Sequence, residues 1–144
     1  MDTKLKADIA ESAVITQLLK RGFRVLKPLG DRLPYDLAVD NNGELVKIQV
    51  KHAWYDNTKK LFIVDARRTK TNRRHMLRSY YTNHDFEFAV IYLAECEVFY
   101  IMPIAIFITY KSEVSFVEES KRQRKPRSAE FRNRWDLLEI IRQL

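Results

Sequence analysis

The spacing of apolar residues along the chain predicts helices at both ends and strands between them. In residues 3–21 the apolar side chains recur every three or four positions, as on a helix face, and Gly22 ends the pattern. Residues 131–144 repeat this spacing, and Pro103 starts a helical turn over residues 104–110. Strand patterns occupy seven further stretches: 23–26, 35–40, 44–54, 61–66, 86–93, 98–102 and 114–117. This order predicts a mixed α/β fold with a central sheet flanked by helices.

The best-defined local feature is a hairpin at Asn42-Gly43. Asn-Gly tolerates the positive φ angles of a tight two-residue turn, so Asn41 should face Glu44. The residue numbers of each cross-strand pair should then add to 85. The register predicts one apolar face, with Leu37 opposite Ile48 and Val39 opposite Val46. A shift of one residue would mix apolar and polar side chains on both faces.

The same register places polar residues on the other face of the hairpin. Asp36 should lie opposite Gln49, and Lys51 should follow on the same side. Glu11 adds a carboxylate from the first helix. Its helical neighbours are Ala7, Val14, Ile15 and Leu18, and a carboxylate buried among them needs a cation, a hydrogen-bond donor or a metal. The alternative is a rotated helix that leaves Glu11 exposed beside Asp8 and Lys4.

Charge is distributed unevenly along the chain. The net charge is +7, yet residues 67–78 and residues 121–134 each carry +6, so the rest of the chain carries −5. We expect residues 69–81 to be mostly helix or loop and residues 121–127 to be a linker. Basic segments bind phosphates by releasing counterions, and they predict a nucleic-acid partner rather than solvated faces alone. The candidate contact residues are Arg67, Arg68, Lys70, Arg73, Arg74, Arg78, Lys121, Arg122, Arg124, Lys125 and Arg127.

Composition excludes several classes of protein. The chain has 144 residues, of which 46% are hydrophobic, so we expect one folded domain over residues 1–144. It has no apolar run long enough for a membrane span, and we expect neither a signal peptide nor a membrane partner. The single Cys96 excludes a disulfide framework and a cysteine zinc cluster. A reducing, cytoplasmic location is therefore expected.

Carboxylates are the ligands that Mg²⁺ prefers, and a nearby lysine can stabilise phosphoryl charge or orient a water. Glu11, then Pro34-Tyr35-Asp36, then Gln49-Val50-Lys51, resembles the motif of the PD-(D/E)-x-K nucleases. That superfamily includes restriction enzymes, Holliday-junction resolvases and intron-encoded homing endonucleases. The stretch YDLAVDNNGELVKIQVK and the small basic chain are most similar to the homing endonuclease type. The resemblance covers roughly residues 5–102.

This resemblance implies a restriction-endonuclease-like fold and a sequence-specific endonuclease for double-stranded DNA that requires Mg²⁺ or Mn²⁺. It implies that Asp36, Gln49 and Glu11 hold the metal and that Lys51 acts near the attacking water. Since one site cuts one strand, we also expect an even-numbered homo-oligomer, a dimer or a dimer of dimers.

Two departures from the motif keep alternatives open. Tyr35 separates the proline from Asp36, and Gln49 stands where the family usually has Asp or Glu, so the site has one anion fewer. That substitution puts a two-metal mechanism in doubt. The alternatives are a structure-specific nuclease like a junction resolvase, or a DNA-binding protein whose degenerate site does not cut.

Overall fold

The protein is described here from a computed structural model, which covers residues 2–71, 76–119 and 124–143. The helices and strands follow in the order α1 (Thr3–Lys20), β1 (Arg24–Leu26), β2 (Leu37–Asn41), β3 (Glu44–His52), β4 (Trp54–Asp56), β5 (Leu61–Asp65), β6 (Arg67–Thr71), β7 (Met76–Tyr80), β8 (Phe88–Leu93), β9 (Val98–Pro103), α2 (Ile104–Phe107), β10 (Glu113–Phe116) and α3 (Asp136–Gln143). No helix in these described ranges is long and apolar enough to cross a membrane.

A mixed five-stranded sheet, in the order β1-β2-β3-β8-β9, forms the centre of the fold. Strands β3 and β8 run parallel, and the other neighbouring pairs are antiparallel. A smaller sheet, β10-β5-β4, and a two-stranded ribbon, β6-β7, accompany it. The central mixed sheet predicted from the sequence is confirmed.

Apolar side chains cover both faces of the central sheet. On one face, α1 buries Ala10, Val14 and Leu18 against the β2-β3 hairpin, with Trp135 and Leu138 in the same cluster. On the other face, residues of β8 and β9 pack against β5, β10 and the short helix α2. The sheet is therefore the middle layer, and its loop ends are where polar side chains can gather.

The hairpin register predicted from Asn42-Gly43 is confirmed. Leu37 pairs with Ile48 and Val39 with Val46, and all four are buried. Asn42 and Gly43 have φ angles of 52° and 94°, and the Gly43 amide donates to the Asp40 carboxylate at 2.7 Å. The turn chemistry thus sets which residues of β3 face α1.

The prediction of helix or loop for residues 69–81 is wrong where the structure describes them. Strands β6 and β7 pair antiparallel, from Arg67 opposite Tyr80 to Thr71 opposite Met76. A helix needs an apolar stripe to pack, and this segment lacks one. A two-stranded ribbon instead forms through backbone hydrogen bonds between its strands and needs no apolar stripe.

The predicted C-terminal helix is also shorter than expected. A 3₁₀ turn spans Arg127–Phe131, Asn133 has a φ of 51°, and the helix α3 begins only at Asp136. The Asn133 amide donates to the Phe99 carbonyl at 2.7 Å, which ties the irregular segment to β9. The predicted strand 44–54 likewise breaks at Ala53, which separates β3 from β4.

Candidate active site

Asp36 occupies the point where the chain leaves the β2-β3 ladder. The ladder ends at Leu37 opposite Ile48, and Asp36 does not continue it as a strand pair with Gln49. Instead the Asp36 amide donates to the Ile48 carbonyl at 2.9 Å, and its Oδ2 accepts from the Val50 amide at 2.9 Å. These bonds fasten Asp36 to the edge of β3 on either side of Gln49, so the predicted proximity holds with different geometry.

The Asp36 carboxylate lies in an unfavourable electrostatic environment. Burial raises its pKa, the Val50 amide opposes that shift, and the nearby Glu11 carboxylate raises the pKa further. Lys51 and Lys27 lower it by smaller amounts, and the net shift is upward. A divalent cation would offset both the free-energy cost of burying the Asp36 charge and the repulsion between Asp36 and Glu11.

Lys51 lies in a pocket formed by residues distant in sequence. Its Nζ donates to the Arg67 carbonyl at 3.1 Å and lies 5.0 Å from the centroid of the Tyr81 ring. Burial lowers the pKa of Lys51 to about 8, while the Asp65 and Asp36 carboxylates oppose that shift. An amine with such a pKa is charged in most molecules at neutral pH and can still exchange a proton.

Gln49 precedes Lys51 by two positions on the same face of β3. Its Nε2 donates to the Val50 carbonyl at 3.3 Å. The Oε1 atom of the amide is an oxygen of the kind that Mg²⁺ and Ca²⁺ accept, although it carries no charge.

Glu11 does not point freely into solvent beside Asp8 and Lys4. Its side chain is 23% exposed and forms an ion pair with Lys27, the residue that follows β1. The pKa of Lys27 is raised, first by the hydrogen bond to Glu11 and then by its charge, with smaller contributions from Asp8 and Asp36. The cation that a carboxylate in this stripe requires is therefore present, as Lys27.

Three residues of the site were not predicted from the sequence: Lys27, Asp65 and Tyr81. Asp65 ends β5 and accepts from the Arg67 amide at 2.8 Å and from Arg67 Nε at 3.1 Å, next to Lys51. Tyr81 is 8% exposed and packs edge-on to Phe86. The position of Glu11 in an apolar stripe indicated that a cation lies nearby, but it did not indicate that Lys27 supplies it. Nothing in the local pattern indicates Asp65 or Tyr81.

The first basic segment reaches this site, whereas the second contacts another part of the molecule. Arg67 supplies the carbonyl that holds Lys51, and Arg68 Nη2 lies 3.5 Å from the carbonyl of Arg32, in the loop before Asp36. Arg127 lies over the Tyr110 ring at 4.9 Å.

The remaining predicted contact residues lie in the ribbon, at exposed positions before the 3₁₀ turn, or outside the described residues. Lys70 and Arg78 belong to β6 and β7, and Arg124 and Lys125 are exposed. Four others lie outside the described residues: Arg73, Arg74, Lys121 and Arg122.

The donor set fits a divalent metal. Among the described residues, no three His, Cys, Asp or Glu side chains form a metal cluster. Two carboxylates and one amide oxygen remain, from Glu11, Asp36 and Gln49. This set is sufficient for Mg²⁺, which keeps several waters and is commonly held by one or two carboxylates together with substrate phosphates. Lys51 adds a cationic group of the kind that stabilises charge on a phosphoryl oxygen.

Comparison with known proteins agrees with this geometry. A model of the PD-(D/E)XK endonuclease family matches residues 1–138. The structure is similar to that of a bacterial homing endonuclease, I-Ssp6803I, with a TM-score of 0.88 and 53% sequence identity. The match covers 96% of this chain and 93% of that one. No curated protein sequence matches this chain.

Proposed function

This chain belongs to the PD-(D/E)XK endonuclease family, and from that premise we propose that it cleaves both strands of double-stranded DNA at a specific sequence, as a homing endonuclease. The restriction-endonuclease-like fold and the endonuclease activity expected from the sequence are confirmed by the family and by the structural match. The observation that carries the site assignment is the attachment of Asp36 to both sides of Gln49 on β3, which brings Asp36 under the influence of Lys51 and Glu11.

Nucleases of this family use divalent metal ions, and we propose Mg²⁺, replaceable by Mn²⁺, held by Asp36, Glu11 and the Gln49 side-chain oxygen. Such an ion neutralises charge on the scissile phosphate and activates water. The donor chemistry supports this assignment because the Asp36 pKa is raised by burial and by Glu11, a situation that a bound cation relieves.

Lys51 completes the proposed chemistry. Its ammonium is held by the Arg67 carbonyl and interacts electrostatically with the Asp36 carboxylate, so it can stabilise charge on a phosphate oxygen or orient a water molecule. Because burial lowers its pKa to about 8, the proton on Nζ is transferable near neutral pH. Asp36, by contrast, is positioned by two backbone hydrogen bonds and contributes a fixed negative charge.

DNA would lie across the basic ribbon, which we define as strands β6 and β7. A two-stranded ribbon fits the major groove of B-DNA, and Arg67 links this one directly to Lys51. Residues 121–134 would supply a second phosphate-binding surface. Since each site hydrolyses one strand, a double-strand break requires an even-numbered homo-oligomer, a dimer or a dimer of dimers. A single domain over residues 1–144 and a cytoplasmic location remain part of this proposal.

Incubation with DNA of three kinds tests the proposal. Supercoiled plasmids carrying candidate target sequences, a four-way junction and random linear duplex would be incubated with Mg²⁺ or with EDTA. We expect discrete, Mg²⁺-dependent cuts at one plasmid sequence. Cleavage of junctions without sequence preference would instead indicate a resolvase-like nuclease. DNA binding with no metal-dependent cutting would indicate the degenerate site that Gln49 suggests.

A further inference from the structure

Lys27 lies among the carboxylates of the proposed metal site, although the nuclease motif includes no residue at this position. Its ammonium pairs with Glu11, and the pKa of Lys27 is raised by Glu11 first, with smaller contributions from Asp8 and Asp36. Three negative charges thus act on one lysine, and two of them belong to the proposed metal ligands. Gln49 contributes no charge to this cluster.

An acidic cluster of this kind requires positive charge even without a metal. Burial raises the pKa of Asp36, and the Glu11 carboxylate raises it further, so the ionised form of Asp36 is destabilised. In the metal-free protein that positive charge comes from Lys27 on the outer side and from Lys51 on the inner side. Lys51 is held by the Arg67 carbonyl, whereas Lys27 has a side chain that is 64% exposed.

We propose that Lys27 occupies the cation position of this cluster in the metal-free protein and that a divalent ion must displace it from Glu11 in order to bind there. This inference rests on the proposed metal site. The Lys27 end of this ion pair is exposed, and an exposed ion pair is screened by solvent and contributes little free energy, so a divalent ion can replace it. Lys27 therefore sets how much metal the site needs.

The test measures binding of Mn²⁺ alone to the full-length protein by titration calorimetry, together with the rise in thermal unfolding temperature that Mn²⁺ causes. Lys27→Met should bind Mn²⁺ roughly three- to tenfold more tightly than the wild type, because Glu11 no longer has to release a partner. Lys27→Arg keeps the ion pair and should bind as the wild type does. Lys4→Met removes an exposed charge two helical turns from Glu11 and should change the affinity less than twofold.

A double-mutant cycle separates displacement from a general effect of charge. In a Glu11→Gln background, Lys27→Met should leave Mn²⁺ affinity within twofold, because there is no ion pair to break. If Lys27→Met strengthens binding equally in both backgrounds, the displacement is refuted. The same holds if Lys27→Met alone leaves the affinity unchanged or lowers it.

One further variant distinguishes failure of this inference from failure of the metal site. Asp36→Asn keeps an oxygen that can accept from the Val50 amide but removes the charge, so it should abolish Mn²⁺ binding at this site. If it does so while Lys27→Met has no effect, the inference fails and the proposed function stands. If Asp36→Asn binds Mn²⁺ as the wild type does, the metal site itself is wrong and the inference falls with it.

Discussion

The candidate site has two sides that differ in how they hold a lysine near Asp36. In the inner pocket, formed by Gln49, Lys51, Asp65 and Tyr81, the Tyr81 ring is buried and the other three side chains are partly buried, and burial lowers the pKa of Lys51 to about 8. In the outer rim, formed by Asp8, Glu11 and Lys27, Glu11 is half-buried but Lys27 and Asp8 are exposed, and the carboxylates raise the pKa of Lys27. The same type of side chain is thus shifted in opposite directions within one site.

From this difference we infer that the inner pocket contributes to the proposed chemistry and that the outer rim affects the proposed metal occupancy. In the inner pocket, Lys51 is anchored by a backbone carbonyl, so its position and its proton affinity are set by the fold. On the rim, Lys27 is held by one exposed ion pair that a stronger cation can replace. We therefore expect substitutions in the pocket and at Asp36 to alter the rate of cleavage and substitutions on the rim to alter metal affinity.

The largest expected effect is loss of cleavage from Asp36→Ala or Lys51→Ala. Each change removes a charge at the scissile phosphate, and we expect the single-turnover rate at saturating Mg²⁺ to fall by about a thousandfold or more. DNA affinity, measured by mobility shift in Ca²⁺, should stay within about threefold, because the basic ribbon is intact.

A control variant and a folding check are needed to attribute the loss of cleavage to the removed side chains. Asp31→Ala removes an exposed carboxylate from the loop before Asp36 and should cleave at the wild-type rate. Circular dichroism must show each variant folded. Full cleavage by Asp36→Ala would contradict the site assignment and remove the distinction between the pocket and the rim.

The parts of this molecule that follow local rules could be predicted from the sequence. The Asn42-Gly43 turn fixes the register of β2 and β3, and this register ends beside Asp36, which two hydrogen bonds to Ile48 and Val50 hold next to β3. The apolar spacing of residues 3–21 likewise predicts the helix that the structure shows as α1, whose buried residues are Ala10, Val14 and Leu18. A short-range pattern therefore sufficed for the hairpin register, and the roles assigned to Asp36, Gln49 and Lys51 stay predictions.

The surroundings of the site could not be predicted because they depend on how distant segments meet. Lys27 reaches Glu11 only because β1 packs beside α1. Asp65, at the end of β5, and Tyr81, just after β7, come close to Lys51 only through the tertiary fold. The basic ribbon has no alternation of apolar and polar residues, so its sequence did not predict two paired strands. Charge patterns located the segment without indicating its secondary structure.

A smaller effect concerns stability, and its sign follows from the lowered pKa of Lys51. In the unfolded chain Lys51 titrates near 10.5, whereas in the folded protein it titrates near 8. Between these values the unfolded chain binds more protons, so stability rises with pH. Below pH 8 both states are protonated, and the buried charge destabilises the fold.

Lys51→Met removes that buried charge. At pH 7 its free energy of unfolding should exceed that of the wild type by about 1–2 kcal/mol, after allowance for the lost hydrogen bond to the Arg67 carbonyl. The difference should shrink as pH rises from 8 to 10.5, as measured by urea unfolding at several pH values. Lys59→Met, at an exposed position, should show no such trend. A Lys51→Met protein less stable than the wild type at pH 7 would mean that the pocket favours the charged amine.

The smallest expected effect is on DNA binding. It comes from substitution of Arg68, and it sharpens the boundary between the inner pocket and the outer rim. Its guanidinium lies 3.5 Å from the Arg32 carbonyl, and so connects the basic ribbon to the loop that carries Lys27. If Arg68 binds one DNA phosphate, Arg68→Ala should weaken DNA binding in Ca²⁺ by about three- to tenfold and should reduce the slope of log K against log salt by about 0.9.

Measurements of binding at several salt concentrations separate this contact from a structural effect. Arg24→Ala removes an exposed charge from β1, an edge strand of the central sheet and not part of the ribbon, and should leave the slope unchanged. A weaker affinity of Arg68→Ala with an unaltered slope would show that Arg68 acts by holding the loop at Arg32. In that case the loop would link the two sides of the site, and Mn²⁺ affinity should change in Arg68→Ala as well.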